Sequence, residues 1–220
     1  HPAVNYLHHT AGKVYLGGID LASLAPAVAR EYLGYLPQEP RLFSGTLKDN
    51  ILLGIADPGE EAILAAARRT GLIDLILGQP AGLALPIAEG GRGVSGGQKQ
   101  LIGLTRLLLA NPKVWLLDEP TGSLDNTTEA RVIQLLGELA DSGATLLVST
   151  HKSALLPMMQ RLLVVHSGKL QLDGPRDAIL ARLGGKGAAG EGGAGGPSQP
   201  ASGPAGRGPA GTSPAAPGAA

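Results

Sequence analysis

Two carboxylates stand side by side where an apolar run stops: Val114-Trp115-Leu116-Leu117 is followed by Asp118-Glu119-Pro120. A run of four apolar residues reads as a buried parallel strand. Ligand sites in open α/β sheets gather at the carboxyl ends of such strands. There, one carboxylate can hold Mg²⁺ through water while its neighbour polarises an attacking water. An acidic pair that only ends a strand and opens a turn looks the same, so the pair alone leaves both readings open.

Val94-Ser95-Gly96-Gly97-Gln98 opens a helical stretch. Glycines ahead of a helix let backbone N–H groups approach an anion, the helix dipole favours negative charge, and Ser95 adds a hydroxyl donor; the alternative is a plain glycine-rich helix cap. Ser149-Thr150-His151-Lys152 follows a strand-like segment. A histidine at a strand's carboxyl end can donate to a phosphate oxygen or orient water, although a lone histidine is more often structural. Gln38, after Leu33–Leu36, and Gly122-Ser123-Leu124-Asp125 carry little by themselves, the latter reading simply as a turn. His8-His9 and His166 imply no metal site.

These residues need positioning elements. Strands are predicted at Lys13–Leu16, Leu33–Leu36, Val114–Leu117, Thr145–Ser149, Leu162–Val165 and Lys169–Leu172, the last two around a Ser167-Gly168 turn. Helices are predicted at Leu47–Leu53 capped by Thr46, at Glu60–Arg69 ended by Gly71, and at Gly96–Ala110, where Leu101, Leu104, Leu107 and Leu108 keep helical spacing. Further helices are predicted at Thr127–Ala140, Ser153–Gln160 and Pro175–Leu183, the last with proline in its first turn. Strands alternating with helices make the core α/β. The stretch Leu47–Leu104 shows no clear strand and reads as a helical insert.

The chain has 220 residues, with 18 Lys plus Arg balanced by 18 Asp plus Glu. A net charge of zero argues against a partner such as nucleic acid held by bulk charge. The absence of cysteine excludes disulfides, thiolate zinc sites and a cysteine nucleophile. No apolar run approaches the roughly 18 residues a membrane helix needs. Of the 34 glycines, 13 fall in residues 184–220, where no large apolar residue offsets the entropy of ordering the backbone. Residues 184–220 therefore read as a disordered Gly/Ala/Pro-rich tail, and residues 1–183 as one domain.

Taken in order, Gln38, a helical insert, Ser95–Gln98, Asp118-Glu119, Asp125 and His151 resemble the nucleotide-binding domain of an ATP-binding cassette transporter, over about Ala11 to Leu183. The resemblance implies a RecA-like parallel sheet of the P-loop NTPase class with a helical subdomain at about 46–104. It implies ATP and Mg²⁺, with Gln38 as the Q-loop glutamine, Val94–Gln98 as the signature, and Val114–Asp118 as the Walker B strand. Glu119 would be the catalytic glutamate, Gly122–Asp125 the D-loop and His151 the switch histidine. Asp118 would hold Mg²⁺ with Gln38 contributing. Ser95, Gly96, Gly97, Gln98 and Asp125 would serve the nucleotide across a head-to-tail dimer of two such domains.

Leu42–Ile51 and Ile87–Gly93 are similar to exporter segments, the second to one that contacts the membrane part. Leu85-Pro86-Ile87 and Asp173–Asp177 resemble bacterial type I secretion ATPases, which work with transmembrane domains, a membrane-fusion protein and an outer-membrane channel. The resemblance places the domain on the cytoplasmic face of a bacterial inner membrane. Non-transport ATPases of the superfamily, or a catalytically inactive regulatory cassette, are the alternatives.

One family feature does not occur. A phosphate loop needs G-x-x-x-x-G-K-[ST], but Gly12-Lys13, Gly168-Lys169 and Gly185-Lys186 are followed by Val14, Leu170 and Gly187 and preceded at the first glycine position by Leu7, Leu163 and Leu180. The sequence therefore reads as the C-terminal part of a longer exporter, cut inside its ATPase domain and poorly active alone, with residues 1–10 a poor match to the family.

Overall fold

The computed structural model describes residues 11–188, which fall into two compact units divided after Leu162. Residues 1–10, including His8-His9, and residues 189–220 of the expected tail lie outside the described residues.

The first unit is built on a parallel sheet of β3 (Leu33–Leu36), β6 (Val114–Asp118) and β7 (Thr145–Ser149), in the order β3-β6-β7. The register aligns Gly34, Trp115 and Leu146, and one pleat on, Leu36, Leu117 and Val148. This row faces the core: Trp115, Leu36 and Leu117 are buried and cluster with Ile102, Leu104 and Leu136. Gly34 is there because of space. A Cβ on it would stand 2.5 Å from Pro112 Cγ and 2.8 Å from Leu107 Cδ2. Parallel strands whose carboxyl ends lie together bring residues 118–119 and 149–151 to one edge, as the chemistry requires.

The helices follow from local signals. α5 (Gly96–Ala110) starts at Ser95 and ends at Asn111 in the left-handed region, φ +46°. α2 (Leu47–Ile51) carries a capping box between Thr46 and Asp49. α3 (Glu60–Thr70) has glutamates in its first turn, arginines in its last and Gly71 at φ +89° beyond it, which matches the helix dipole and the left-handed cap. α6 (Asn126–Asp141) starts at Asp125. α3 and α5 share a buried hydroxyl pair, Thr70 Oγ1 and Thr105 Oγ1 at 2.7 Å.

Several expectations need correction. Lys13–Leu16 is not a strand throughout: β1 (Tyr15–Leu16) pairs antiparallel with β2 (Ile19–Asp20) across Gly17-Gly18, both at positive φ. The helical insert does contain a strand, because β4 (Gly45–Thr46) pairs antiparallel with β5 (Pro86–Ile87). Two residues are too few to show a period of two, and Pro86 suppresses the strand signal. α1 (Pro26–Tyr32), with proline in its first turn, and α4 (Ile73–Leu77) are helices that the sequence reading lacks. Ser153–Met158 is a 3₁₀ rather than an α-helix, since Pro157 has no N–H to give an i→i−4 bond.

In the second unit, β8 (Arg161–His166, which starts two residues before the division) and β9 (Lys169–Pro175) form a hairpin through Ser167 and Gly168, both at positive φ. α7 (Arg176–Ala188) runs five residues past the expected end at Leu183, into the segment read as tail. Ile179 is its buried anchor. No helix among the described residues is long and apolar enough to cross a membrane.

Candidate active site

β6 hands over directly to the site. Glu119, the first residue past it, sits in the left-handed region at φ +46°, and its N–H bonds the Ser149 carbonyl at 2.8 Å. That step turns the chain out of the sheet. Its carbonyl accepts from Gly122 N–H at 3.0 Å and from the side-chain amide of Gln100 at 3.3 Å.

The Glu119 carboxylate is nearly enclosed by the chain that leaves β7. Oε1 lies 2.6 Å from His151 Nδ1 and accepts the His151 N–H at 2.9 Å. Oε2 accepts from the Thr150 hydroxyl at 3.0 Å. Burial pushes this carboxyl up, but the bonds from the His151 ring, the Thr150 hydroxyl and the His151 N–H outweigh it. The carboxyl is therefore held below its ordinary value of 4.5. An ionised carboxylate only accepts, so Nδ1 carries the hydrogen in this contact. The His151 side chain is 80% exposed and Glu119's only 12%. Imidazole Nε2 is thus left for something outside.

Lys152 ties the same turn to α6. Its ammonium donates to Thr121 O at 2.8 Å and to Glu129 Oε1 at 2.9 Å. Neither this pairing nor the bond from Gln100 was legible from the sequence. The sequence shows Lys152 only as His151's neighbour and gives Gln100 no role.

The carboxylate of Asp118, half-buried at the end of β6, has no hydrogen-bond or ion-pair partner among the described residues. A free carboxylate at a strand's carboxyl end suits Mg²⁺, which takes one or two protein carboxylates and fills its shell with water and phosphate oxygens. Among the described residues no group of three or more His, Asp or Glu is placed to hold a metal ion. Gln38 is exposed, two residues beyond β3, and lines a cavity of about 490 Å³ with Arg41, Phe43, Glu89, Lys99 and Ser123. Asp118, Glu119 and His151 do not line that cavity, so Gln38 does not join them there.

Ser95 caps α5 in a reciprocal box: its hydroxyl accepts from Gln98 N–H at 3.1 Å, and Gln98 Oε1 accepts from Ser95 N–H at 2.9 Å. The Gln98 carbonyl oxygen is therefore spent on its own helix. The N–H groups of Gly96 and Gly97, and the Ser95 hydroxyl hydrogen, are what remain for an anion. Asp125 is likewise engaged locally. Oδ1 accepts from the N–H groups of Thr127 and Thr128 at 3.0 Å each, and Oδ2 from the Thr128 hydroxyl at 2.7 Å. The bonds to Thr128 lead in holding its carboxyl low.

Gly97 shows a further constraint. A Cβ there would stand 2.7 Å from the Ser123 carbonyl oxygen. The start of α5 thus lies directly on the Glu119–Ser123 turn, and glycine is required by that contact whatever else binds.

The profile of the family described as ABC transporter matches residues 4–122. The chain is 38% identical over 173 residues to the glutathione/L-cysteine transport system ATP-binding/permease protein CydC of Escherichia coli (strain K12), covering 79% of this chain and 30% of that protein. It is 38% identical over 179 residues to the mesentericin-Y105 transport/processing ATP-binding protein MesD of Leuconostoc mesenteroides, covering 80% of this chain and 24% of that one. In three dimensions it matches a bacterial Atm1-family ABC exporter with ATP bound, with a TM-score of 0.75 and 28% identity over 82% of this chain and 33% of the other. The chain thus spans less than a third of the length of these two relatives. With a parallel α/β sheet that presents Asp118, Glu119 and His151 at one edge, and with more than half its length inside the family profile, the chain belongs to the ABC transporter family.

Proposed function

We propose that this chain is ATPase machinery of an exporter, hydrolysing Mg-ATP to drive transport across a membrane. The observation that supports it best is the Glu119 carboxylate held 2.6 Å from His151 Nδ1 beside the Asp118 carboxylate, which has no partner among the described residues. Glu119 polarises the attacking water, a task worth about 10²–10⁴-fold. Its ionised state at neutral pH suits it to accept the water's proton. His151 holds that carboxylate in place through Nδ1 and addresses the γ-phosphate through Nε2. Asp118 would hold Mg²⁺, which supplies charge neutralisation to the phosphates, and Gln38 would contribute to that shell. Ser95, Gly96 and Gly97 donate to the nucleotide of a second nucleotide-binding domain in a head-to-tail dimer, with Gln98 and Asp125 holding the helix starts that shape that surface.

Within this reading the exporter handles proteins or peptides, as in type I secretion. The supports are the segments Leu85–Ile87 and Asp173–Asp177 and the likeness to MesD, whose name is that of a transport/processing protein. Its partners are transmembrane domains, a membrane-fusion protein and an outer-membrane channel, and its place is the cytoplasmic face of the inner membrane. The 220 residues contain no G-x-x-x-x-G-K-[ST]. By themselves they lack the cradle for the β- and γ-phosphates and turn over ATP slowly or not at all, while still offering Ser95–Gln98 to an intact partner domain.

The test is phosphate release by this chain and by the chain extended with a phosphate-loop segment. Turnover that appears with the extension and disappears in its Glu119→Gln variant is expected. Robust turnover by the 220 residues alone overturns the part assigned to the phosphate loop, and full activity of Glu119→Gln overturns the part assigned to Glu119.

A further inference from the structure

We infer that Gln100 is a positioning residue for Glu119, the buried tie through which the first turns of α5 set where the Glu119 carboxylate points; the inference rests on the reading of Glu119 as the water-activating group. Gln100 is 1% exposed. Its Nε2 donates to the Glu119 carbonyl at 3.3 Å, the same oxygen that takes Gly122 N–H at 3.0 Å. Two donors on one carbonyl fix the plane of the peptide that follows Glu119. Glu119 is a non-glycine residue at φ +46°, a conformation that persists only where its surroundings hold it. Fixing that peptide fixes the Cα–Cβ direction, and with it the approach of the carboxylate to Thr150 and His151.

The other end of the amide carries the second half of the case. Gln100 Oε1 is buried with no partner among the described residues. A buried acceptor without a bond costs stability, and an apolar side chain of the same length would fill the site without that cost. Packing alone therefore does not account for glutamine here, whereas the Nε2 bond to Glu119 does. The backbone contact of Gly97 with Ser123 O, where a Cβ would come within 2.7 Å, clamps the same helix on the same turn three residues earlier. The α5 start, which serves the partner domain's nucleotide in the proposed dimer, and Glu119, which serves this domain's own, thus form one rigid piece. Movement of one is felt by the other.

The deciding variant is Gln100→Met, which keeps length and removes both the donor and the unpartnered acceptor. In the 220-residue chain, amide exchange by NMR should show Gly122 and the His151 N–H exchanging about tenfold faster or more. The Leu104 and Thr105 amides and the Tm should be unchanged or improved. Wild-type exchange at Gly122 and His151 overturns the inference. Should Gln100→Met not fold, Gly97→Ala loosens the same tie from its other contact and is read at the same two amides. In the phosphate-loop-extended protein, Gln100→Met should lower kcat about tenfold with KM for ATP unchanged, since misplacement of a reacting group acts on the chemical step; an unaltered kcat overturns the inference. A wild-type extended protein with no turnover overturns the functional reading instead, and the exchange rates then decide the tie by themselves.

Discussion

Glu119 and His151, 32 residues apart in the chain, meet at two points: Oε1 is 2.6 Å from the imidazole Nδ1 and 2.9 Å from the backbone nitrogen of the same residue. The contact spans the ends of adjacent parallel strands, so it is made by the sheet and not by a local turn. If Glu119 polarises water and His151 holds it, Glu119→Gln in the phosphate-loop-extended protein should lose about 10²–10⁴-fold in kcat. His151→Ala should lose less, because the Thr150 hydroxyl remains on Oε2. Steady-state phosphate release gives both numbers, and a His151→Ala loss larger than that of Glu119→Gln would reverse the assigned roles.

Gly103 sits where α5 crosses β3. A Cβ there would come 2.7 Å from Leu36 Cδ1 and 3.0 Å from Pro40 Cγ. Alanine in place of glycine gains up to about 1 kcal/mol of helix propensity, against roughly 1–3 kcal/mol for overpacking. Gly103→Ala should therefore lower stability by about 1 kcal/mol, read as a lower urea midpoint by circular dichroism. A raised midpoint would mean that the Leu36 side chain gives way freely.

The Glu129 carboxyl is held below its ordinary value of 4.5, foremost by its bond to Lys152. A carboxyl lowered by folding contributes stability that is present above its unfolded value and lost as pH falls through the folded one. The gap in urea midpoint between wild type and Glu129→Gln should hold steady where the carboxyl is ionised in both states and narrow progressively as pH falls below its ordinary value of 4.5. A gap that does not narrow at all on acidification below the ordinary carboxyl value would show that the ion pair is not its source.

Ser95→Ala removes the hydroxyl that accepts Gln98 N–H at 3.1 Å. Loss of such a cap costs about 1 kcal/mol, visible as a lower midpoint. Ser95→Thr and Ser95→Asp keep an acceptor and should recover most of it. If Ser95 also donates to a nucleotide, Ser95→Asp should restore stability but not turnover in the phosphate-loop-extended protein.

The legible elements are those whose signals are local. α5 is bounded as read, since Ser95, Gln98 and the leucine spacing lie within one helix. Thr46 and Gly71 mark α2 and α3 by the same logic. What escaped the sequence depends on partners far along the chain. β5 exists only because Gly45–Thr46 comes to lie beside it. Asn50 is a buried polar residue whose side chain bonds Phe43 N, Phe43 O and Thr46 O while its carbonyl takes the Arg106 guanidinium. Gln98 and Asp125 show a different limit. Their types suit both a helix cap and a ligand contact, and only geometry shows the cap already made. The carboxylate pair at 118–119 was visible from its strand, but the left-handed step that aims Glu119 at His151 was not.

Trp115 is the protein's only tryptophan. Its ring is fully buried, its indole N–H donates to the Pro112 carbonyl at 3.0 Å, and its register neighbours are Gly34 and Leu146. Light emitted on excitation of tryptophan therefore comes from a single place, three residues ahead of Asp118 on the strand that carries it. The molecule holds its own optical probe at the root of the candidate site, where nucleotide-driven shifts of β6 can be followed without a label.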